Sequence, residues 1–207
     1  MDIHESGFSR YARKEPERSI YCYPGTEVLI NKENIRDPKA LADFEADITL
    51  LRQYEIQKEN KANGMFGVAH LKRIHRYLFQ DVYPFAGKFR REDIAKGNTV
   101  FYKSEYIEEN LERLLDQLKK ENFLRGLDKK EFSERAAYYL AEINMVHPFR
   151  EGNGRALREF LRQLGAKVGY NLNWAHIDGA DLLAATIRSV EKEYTPLAQL
   201  IYSTIEE

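Results

Sequence analysis

The residues able to do chemistry are concentrated in one run, His147-Pro148-Phe149-Arg150-Glu151-Gly152-Asn153-Gly154-Arg155-Ala156-Leu157-Arg158. It holds a titratable base (His147), a carboxylate suited to a hard metal ion (Glu151), a glycine-rich turn and two arginines. Gly152, Asn153 and Gly154 let backbone N–H groups converge on an anion without Cβ obstruction. The turn opens a helix, whose unpaired N–H groups and positive dipole end favour negative charge. Arg155 and Arg158, three apart, project from neighbouring positions on the first turn. Two guanidinium forks beside such a cradle suit more than one phosphate of a single ligand. Glu151 among phosphate oxygens calls for a cation between them, and Mg²⁺ accepts one carboxylate together with substrate phosphates. An imidazole with the ordinary pKa near 6.5 is largely neutral at cytosolic pH and can take a proton from a hydroxyl. Base, metal ligand and polyphosphate cradle together describe transfer chemistry on a nucleotide.

Taken singly, each residue has a plainer reading. Gly-Asn-Gly marks turns, a histidine at a helix end is usually structural, an arginine pair is usually solvated, and a glutamate favours a helix N-terminus. Their coincidence at this spacing carries the functional reading. Phe149 reads as a packing anchor that turns the loop. His70 and His75 lie five residues apart, about 140° round a helix, so they share no metal-binding face; they read as surface or interhelix histidines. His4 and His176 carry no signal. Trp174 either walls the nucleotide pocket or packs in the core. Cys22, the only cysteine, has no neighbouring base and reads as a small, half-buried strand residue.

The elements that position this run follow from period and punctuation. Residues 1–19 are charged and aperiodic, a loose arm; residues 19–30 are an extended segment turning at Pro24-Gly25. Together they form an N-terminal arm and extended segment over 1–36, ahead of a domain spanning 37–207. Asp37-Pro38 caps a first helix with Leu41, Phe44, Ile48 and Leu51 on its stripe. A second helix covers 68–80 with Leu71, Ile74 and Leu78 inward. The period is lost over 81–103, where Gly87 and Gly97-Asn98 punctuate a β-hairpin or extended flap, placed at 87–103. Ser104 caps a third helix through Leu118, which Gly126 ends. Asp128 and Glu131 make a capping-box start for a fourth, with Phe132, Ala136, Tyr139, Leu140 and Ile143 inward, stopped at His147 by Pro148. A fifth begins near Asn153 and ends toward Gly165 or Gly169. Asp178 caps a sixth, and Thr195-Pro196 a seventh. The fold class is all-α, about seven helices with one hairpin insertion.

Composition narrows the function classes. A chain of 207 residues with net charge −1 has one core and lacks the broad basic field of a general nucleic-acid binder, so no direct nucleic-acid binding is expected. No stretch approaches the roughly 20 apolar residues of a membrane span, and no apolar leader segment is visible. A lone cysteine fits a reducing, cytoplasmic setting.

The run 147–158 resembles the signature of the Fic family, His-x-Phe-x-(Asp/Glu)-Gly-Asn-Gly-Arg-x-x-Arg, with no defined position departing from it. Tyr83-Pro84-Phe85-Ala86-Gly87-Lys88-Phe89-Arg90 resembles the family's Phe-Ala-Gly segment, and Asp93-Ile94-Ala95-Lys96-Gly97-Asn98 its flap. Similarity runs over about residues 20–205, with helix order matching the all-α Fic fold. The resemblance implies AMP transfer from ATP to a Tyr, Thr or Ser hydroxyl of a target protein with pyrophosphate leaving, and topoisomerase subunits are among the targets it brings into view. It implies His147 as general base and Glu151 as Mg²⁺ ligand. Gly152, Asn153 and Gly154 would cradle phosphates, and Arg155 and Arg158 would bind the polyphosphate, Arg158 at the γ-phosphate. Lys96, Gly97, Asn98 and Thr99 would clamp the target by strand-like backbone pairing.

The family's inhibitory motif, (Ser/Thr)-x-x-x-Glu-(Gly/Asn), has no complete copy. Ser104…Glu108 precedes Glu109, Ser189…Glu193 precedes Tyr194, and Ser203…Glu207 ends the sequence on the last core helix. Residues 158–174 are similar to Fic toxins and secreted-effector Fic domains. That resemblance implies inhibition in trans by a small antitoxin-like partner whose Ser-x-x-x-Glu helix meets Arg158, and delivery to a host cytosol if the chain is an effector domain. Two alternatives stay open. One is a different Fic-type transfer, of phosphate or another nucleotide moiety, against which Gly154 argues because Doc-like members usually carry lysine there. The other is an inactive nucleotide-binding or interaction module, which would need no base.

Overall fold

The computed structural model describes residues 19–206. Seven α-helices carry the architecture: α1 (Pro38–Glu59), α2 (Val68–Phe79), α3 (Ile107–Lys120), α4 (Lys129–Val146), α5 (Asn153–Val168), α6 (Gly179–Val190) and α7 (Thr195–Thr204). A short antiparallel hairpin, β1 (Ala95–Lys96) and β2 (Thr99–Val100), separates α2 from α3 with Ala95 opposite Val100 and Lys96 opposite Thr99. A second pair, β3 (Asn171–Leu172) with β4 (Ile205–Glu206), ties the end of α7 back to α5. No period or turn signal in the sequence predicts that pair. Among the described residues, no helix is long and apolar enough to cross a membrane.

Helix α4 is the central element, packed against α3, α5, α6 and α7, while α2 lies on α1 and α5. Its start is the predicted capping box: Asp128 accepts the Glu131 N–H at 2.8 Å and Glu131 accepts the Asp128 N–H at 3.2 Å, worth about 1 kcal/mol. Its inward residues Phe132, Ala136, Tyr139 and Ile143 are fully buried. Asp37 and Asp178 cap α1 and α6 through Ala40 and Ala180 N–H groups, each at 2.7 Å. Gly169, with φ 98°, ends α5.

Four expectations need correction. Ser104 does not cap α3; it opens a 3₁₀ turn, and its own N–H donates to Asp93 at 2.7 Å. Helix α3 stops at Lys120 because Asn122, Phe123 and Leu124 turn left-handed well before Gly126. Thr195 is the first residue of α7, with Tyr194 at the cap position and no side-chain cap. The inner face of α1 is mixed rather than purely apolar: Leu41 is buried and Phe44 and Ile48 pack against the core as expected, but Leu51 is 53% exposed, and Glu45 and Thr49 join the interior with Ile56. Polar groups lie inward there because α1 meets an arginine of α5.

The extended segment does turn at Pro24-Gly25, bridging Cys22 to Leu29. Cys22 is buried rather than half-buried, and Tyr21, Tyr23, Val28 and Leu29 join the core of the helices. His4, the arm over 1–18 and Glu207 lie outside the described residues.

Candidate active site

Pro148 has no N–H to continue a helix and crowds its predecessor out of the helical region. His147 leaves the helix, yet not for the extended region usual before proline: it takes a left-handed conformation, φ 48° and ψ 61°. That geometry costs about 1–2 kcal/mol for a residue with a Cβ, so neighbours must hold it. The His147 N–H donates to Ile143 O at 3.2 Å, Arg90 Nε donates to the His147 carbonyl at 2.7 Å, and the ring stacks on Phe101 at 3.8 Å. Its Nδ1 lies 3.0 Å from the Asn144 carbonyl. A carbonyl only accepts, so the proton sits on Nδ1 and Nε2 carries the lone pair. Burial pushes the ring's pKa down to about 3, and the Arg90, Lys96 and Arg150 charges act in the same direction. The imidazole is therefore neutral at physiological pH, the form a proton acceptor needs.

The loop that follows is locked from three sides. Asn153 turns its amide back on Phe149, accepting the Phe149 N–H at 2.9 Å and donating to its carbonyl at 2.8 Å. What Asn153 can offer an anion is thus its backbone N–H, not its side chain. Phe149 is buried and stacks on His75 at 3.8 Å, the anchoring role expected of it. His75 also bridges elements: its Nδ1 accepts the Gly87 N–H at 2.9 Å, and its Nε2 donates to the Glu151 carbonyl at 2.8 Å. Of the two readings, surface or interhelix, the second holds: His75 is fully buried between elements, and burial pushes it down to about 3. His70 is buried as well, held by Gln163 at 3.0 Å and Ala62 O at 3.1 Å.

Gly152 opens α5 at φ 78°, and a Cβ there would lie 2.2 Å from the Phe79 ring. Only glycine fits, and the backbone is thereby free to present its N–H groups. The first helical bond of α5 runs from Ala156 N to Gly152 O, and no side chain caps the helix. The N–H groups of Asn153, Gly154 and Arg155 are consequently unsatisfied among the described residues. Glu151 stands beside them. Its Oε1 accepts the Gly152 N–H at 2.9 Å, whereas Oε2 is buried with no hydrogen-bond partner. Burial, then the Glu45 charge, raises its pKa.

The two motif arginines are not equivalent. Arg155 pairs with Glu45 and bonds Thr49 Oγ1 at 3.0 Å, with its guanidinium 4.7 Å above the Phe79 ring and 3.8 Å from Glu151. The other oxygen of Glu45 accepts the Tyr83 hydroxyl. Arg158 is partly buried and has no carboxylate within ion-pair distance among the described residues; burial, then the Arg155 charge, lowers its pKa. It stays charged nonetheless. Trp174 donates its indole N–H to the Arg158 carbonyl at 3.1 Å and packs against the core.

Lys96, Gly97, Asn98 and Thr99 form the hairpin turn, with Gly97 at φ 55° and Gly97, Asn98 and Val100 exposed. Its base is tied down, since Phe101 N–H donates to Ile94 O and Tyr102 N–H to Met145 O, each at 3.3 Å. Sequence reasoning named the loop and the hairpin but missed Glu45, His75 and Arg90. Only Glu45 left a trace, a polar pair with Thr49 at i,i+4 interrupting the α1 stripe.

The fold and loop define an all-α domain in which a glycine-opened helix and a buried imidazole share one turn of chain. It belongs to the Fic/DOC family, whose model matches residues 66–164. The chain is 40% identical over 193 residues to the protein adenylyltransferase VbhT of Bartonella schoenbuchensis, covering 93% of this chain but 40% of that one. It is 38% identical over 188 residues to a probable protein adenylyltransferase, Fic, of Escherichia coli, covering 91% and 92%. Among solved structures, BepC of Bartonella tribocorum with bound AMPPNP superposes with a TM-score of 0.82 at 28% identity, over 90% of this chain and 96% of that one.

Proposed function

We propose that this chain is a protein adenylyltransferase that moves the AMP moiety of ATP onto a hydroxyl side chain of a target protein. The observation that carries the reading is the pairing of opposites in one loop. A buried Glu151 oxygen without a partner lies beside a helix N-terminus without a cap. Each is costly alone, at about 1–3 kcal/mol for an unmet buried group, and a metal-bound triphosphate meets both.

The donor set fits Mg²⁺, because one carboxylate suffices when phosphates complete the shell; among the described residues no cluster of three His, Cys, Asp or Glu forms a cage. Glu151 would hold the ion, which screens phosphate charge when bound. The N–H groups of Asn153, Gly154 and Arg155 cradle the phosphates, and Arg158 takes the γ-phosphate end. Arg155, held by Glu45, contributes charge and fixes Glu151. His147 Nε2 accepts the proton of the target hydroxyl as its oxygen attacks the α-phosphorus. The bond from the α-phosphorus to the bridging oxygen then breaks, and pyrophosphate departs with charge stabilised by the cradle. The polyphosphate's negative charge raises the imidazole's proton affinity as the step proceeds. The Lys96–Thr99 hairpin holds the target segment by backbone pairing.

Incubation with ATP labelled at the α or the γ position, beside His147→Ala, tests this. Label from α on protein, lost in the variant, is the expected result. Label from γ means phosphate transfer, and no label with retained nucleotide binding means a binding module. Topoisomerase subunits are the first targets to assay.

A second reading concerns control. Arg158 lacks a carboxylate partner among the described residues, and its guanidinium lies against Gly154 at the uncapped start of α5. These support a small antitoxin-like protein supplying a glutamate from a Ser-x-x-x-Glu helix, in the place of the γ-phosphate. Co-expression decides: a free chain no more active than the complex rules it out.

A further inference from the structure

We propose that Arg90 is a positioning residue that sets the spacing between the hairpin and the imidazole of His147. The inference rests on the roles just given to those two parts.

The Arg90 side chain has 0% exposure. Its Nε donates to the His147 carbonyl at 2.7 Å, and Nη2 donates to Val146 O at 3.2 Å. On the other side, Nη1 donates to Glu92 O at 2.7 Å, and Nη2 also reaches Tyr102 O. Val146 and His147 end α4; Glu92 and Tyr102 flank the hairpin, one before β1 and one after β2. The Arg90 N–H adds a bond to Pro148 O at 2.9 Å. One planar group thus joins the residue that carries the base to both roots of the element that would carry the target.

The chemistry of the group explains the choice of arginine. Five donors in a rigid fork meet carbonyls at fixed angles, whereas lysine offers three on a flexible stem. The helix C-terminus, where carbonyls point outward unpaired, is also where a cation is favoured. A bolt needed only for stability would be served as well by packed apolar residues, because a buried cation costs several kcal/mol to desolvate. What the guanidinium adds is register. Transfer needs the reacting atoms about 3–3.5 Å apart, and a shift on the order of 1 Å costs about 100-fold in rate.

The phosphate cradle belongs to the start of α5 and does not touch Arg90, which separates the readouts. The test compares Arg90→Lys, Arg90→Met and His147→Ala in the full chain, measuring ATP affinity and the rate of label transfer from α-labelled ATP at saturating ATP. We expect both Arg90 variants to bind ATP within about twofold of the parent while kcat falls about 100-fold, with Arg90→Lys the milder. Arg90→Lys keeps the charge and decides the matter if Arg90→Met does not fold. Parental kcat in Arg90→Lys overturns the proposal. A fall of ATP affinity in step with kcat also overturns it, since it marks a purely structural role. Transfer that survives in His147→Ala instead defeats the assignment of the base, independently of Arg90.

Discussion

Acid sensitivity follows directly from the buried imidazoles of His70, His75 and His147, each lowered in pKa by burial. His75 is fully buried, and its pKa is pushed down to about 3 from an ordinary 6.5. Above pH 6.5 the ring is neutral in both folded and unfolded chains and contributes nothing. Below that pH the unfolded chain takes up a proton that the native protein refuses, so stability falls with pH until about 3. At pH 5 the unfolded ring is 1.5 units below its pKa, and at 1.36 kcal/mol per unit His75 alone removes about 2 kcal/mol. His147, shifted to the same value, removes as much again. His75→Gln keeps an amide able to donate to Glu151 O and accept from Gly87 N–H, but it cannot be protonated. Denaturant midpoints of parent and variant at pH 7 and pH 5 give the double difference, in which carboxylate contributions cancel. The parent should lose about 2 kcal/mol more than the variant over that interval. An identical loss in both proteins would refute the buried, neutral state assigned to His75.

Three further outcomes are open to measurement. Glu151→Gln removes a carboxylate that burial and Glu45 disfavour; calorimetry should show nucleotide binding that no longer depends on Mg²⁺, with ligand-free stability raised by about 1 kcal/mol. Arg158→Ala, in which no ion pair with a described residue is lost, should weaken ATP binding about 10- to 100-fold and leave the melting temperature unchanged. Gly152→Ala places a methyl 2.2 Å from Phe79 at a φ of 78°; chemical denaturation should show a loss of about 2 kcal/mol or more, together with lost transfer.

Features set by neighbouring residues were legible in the chain. The capping box of α4, the Asp178 cap of α6 and the stop at Pro148 each depend on residues within one turn, so the sequence states them locally. Features set by distant partners were not. Ser104 reads as a cap until Asp93 is seen to take its N–H. Strand β3 has no signal of its own because its partner, β4, comes only after two more helices. The candidate site divides the same way. The run 147–158 is contiguous, so the sequence displays it as one unit, but its supports come from α1, α2 and the approach to the hairpin. His75 and Arg90 bond mostly to backbone carbonyls and N–H groups, which every residue possesses. Such contacts imprint no pattern on the partner sequence. Arg155 was placed correctly on α5, while its tie to Glu45 required the packing of α1.

The hairpin has a consequence for selectivity. Two residues per strand present main-chain donors and acceptors, and among Lys96, Gly97, Asn98 and Thr99 the turn holds no large apolar side chain. If the hairpin pairs with a target segment as proposed, a ladder so short would discriminate little among extended peptides, because amide groups are common to all sequences. On that proposal, discrimination among clients would come from how a whole folded surface docks against the outer faces of the helices. A short peptide copied from a client's modified loop would be labelled far more slowly than the intact client at the same concentration.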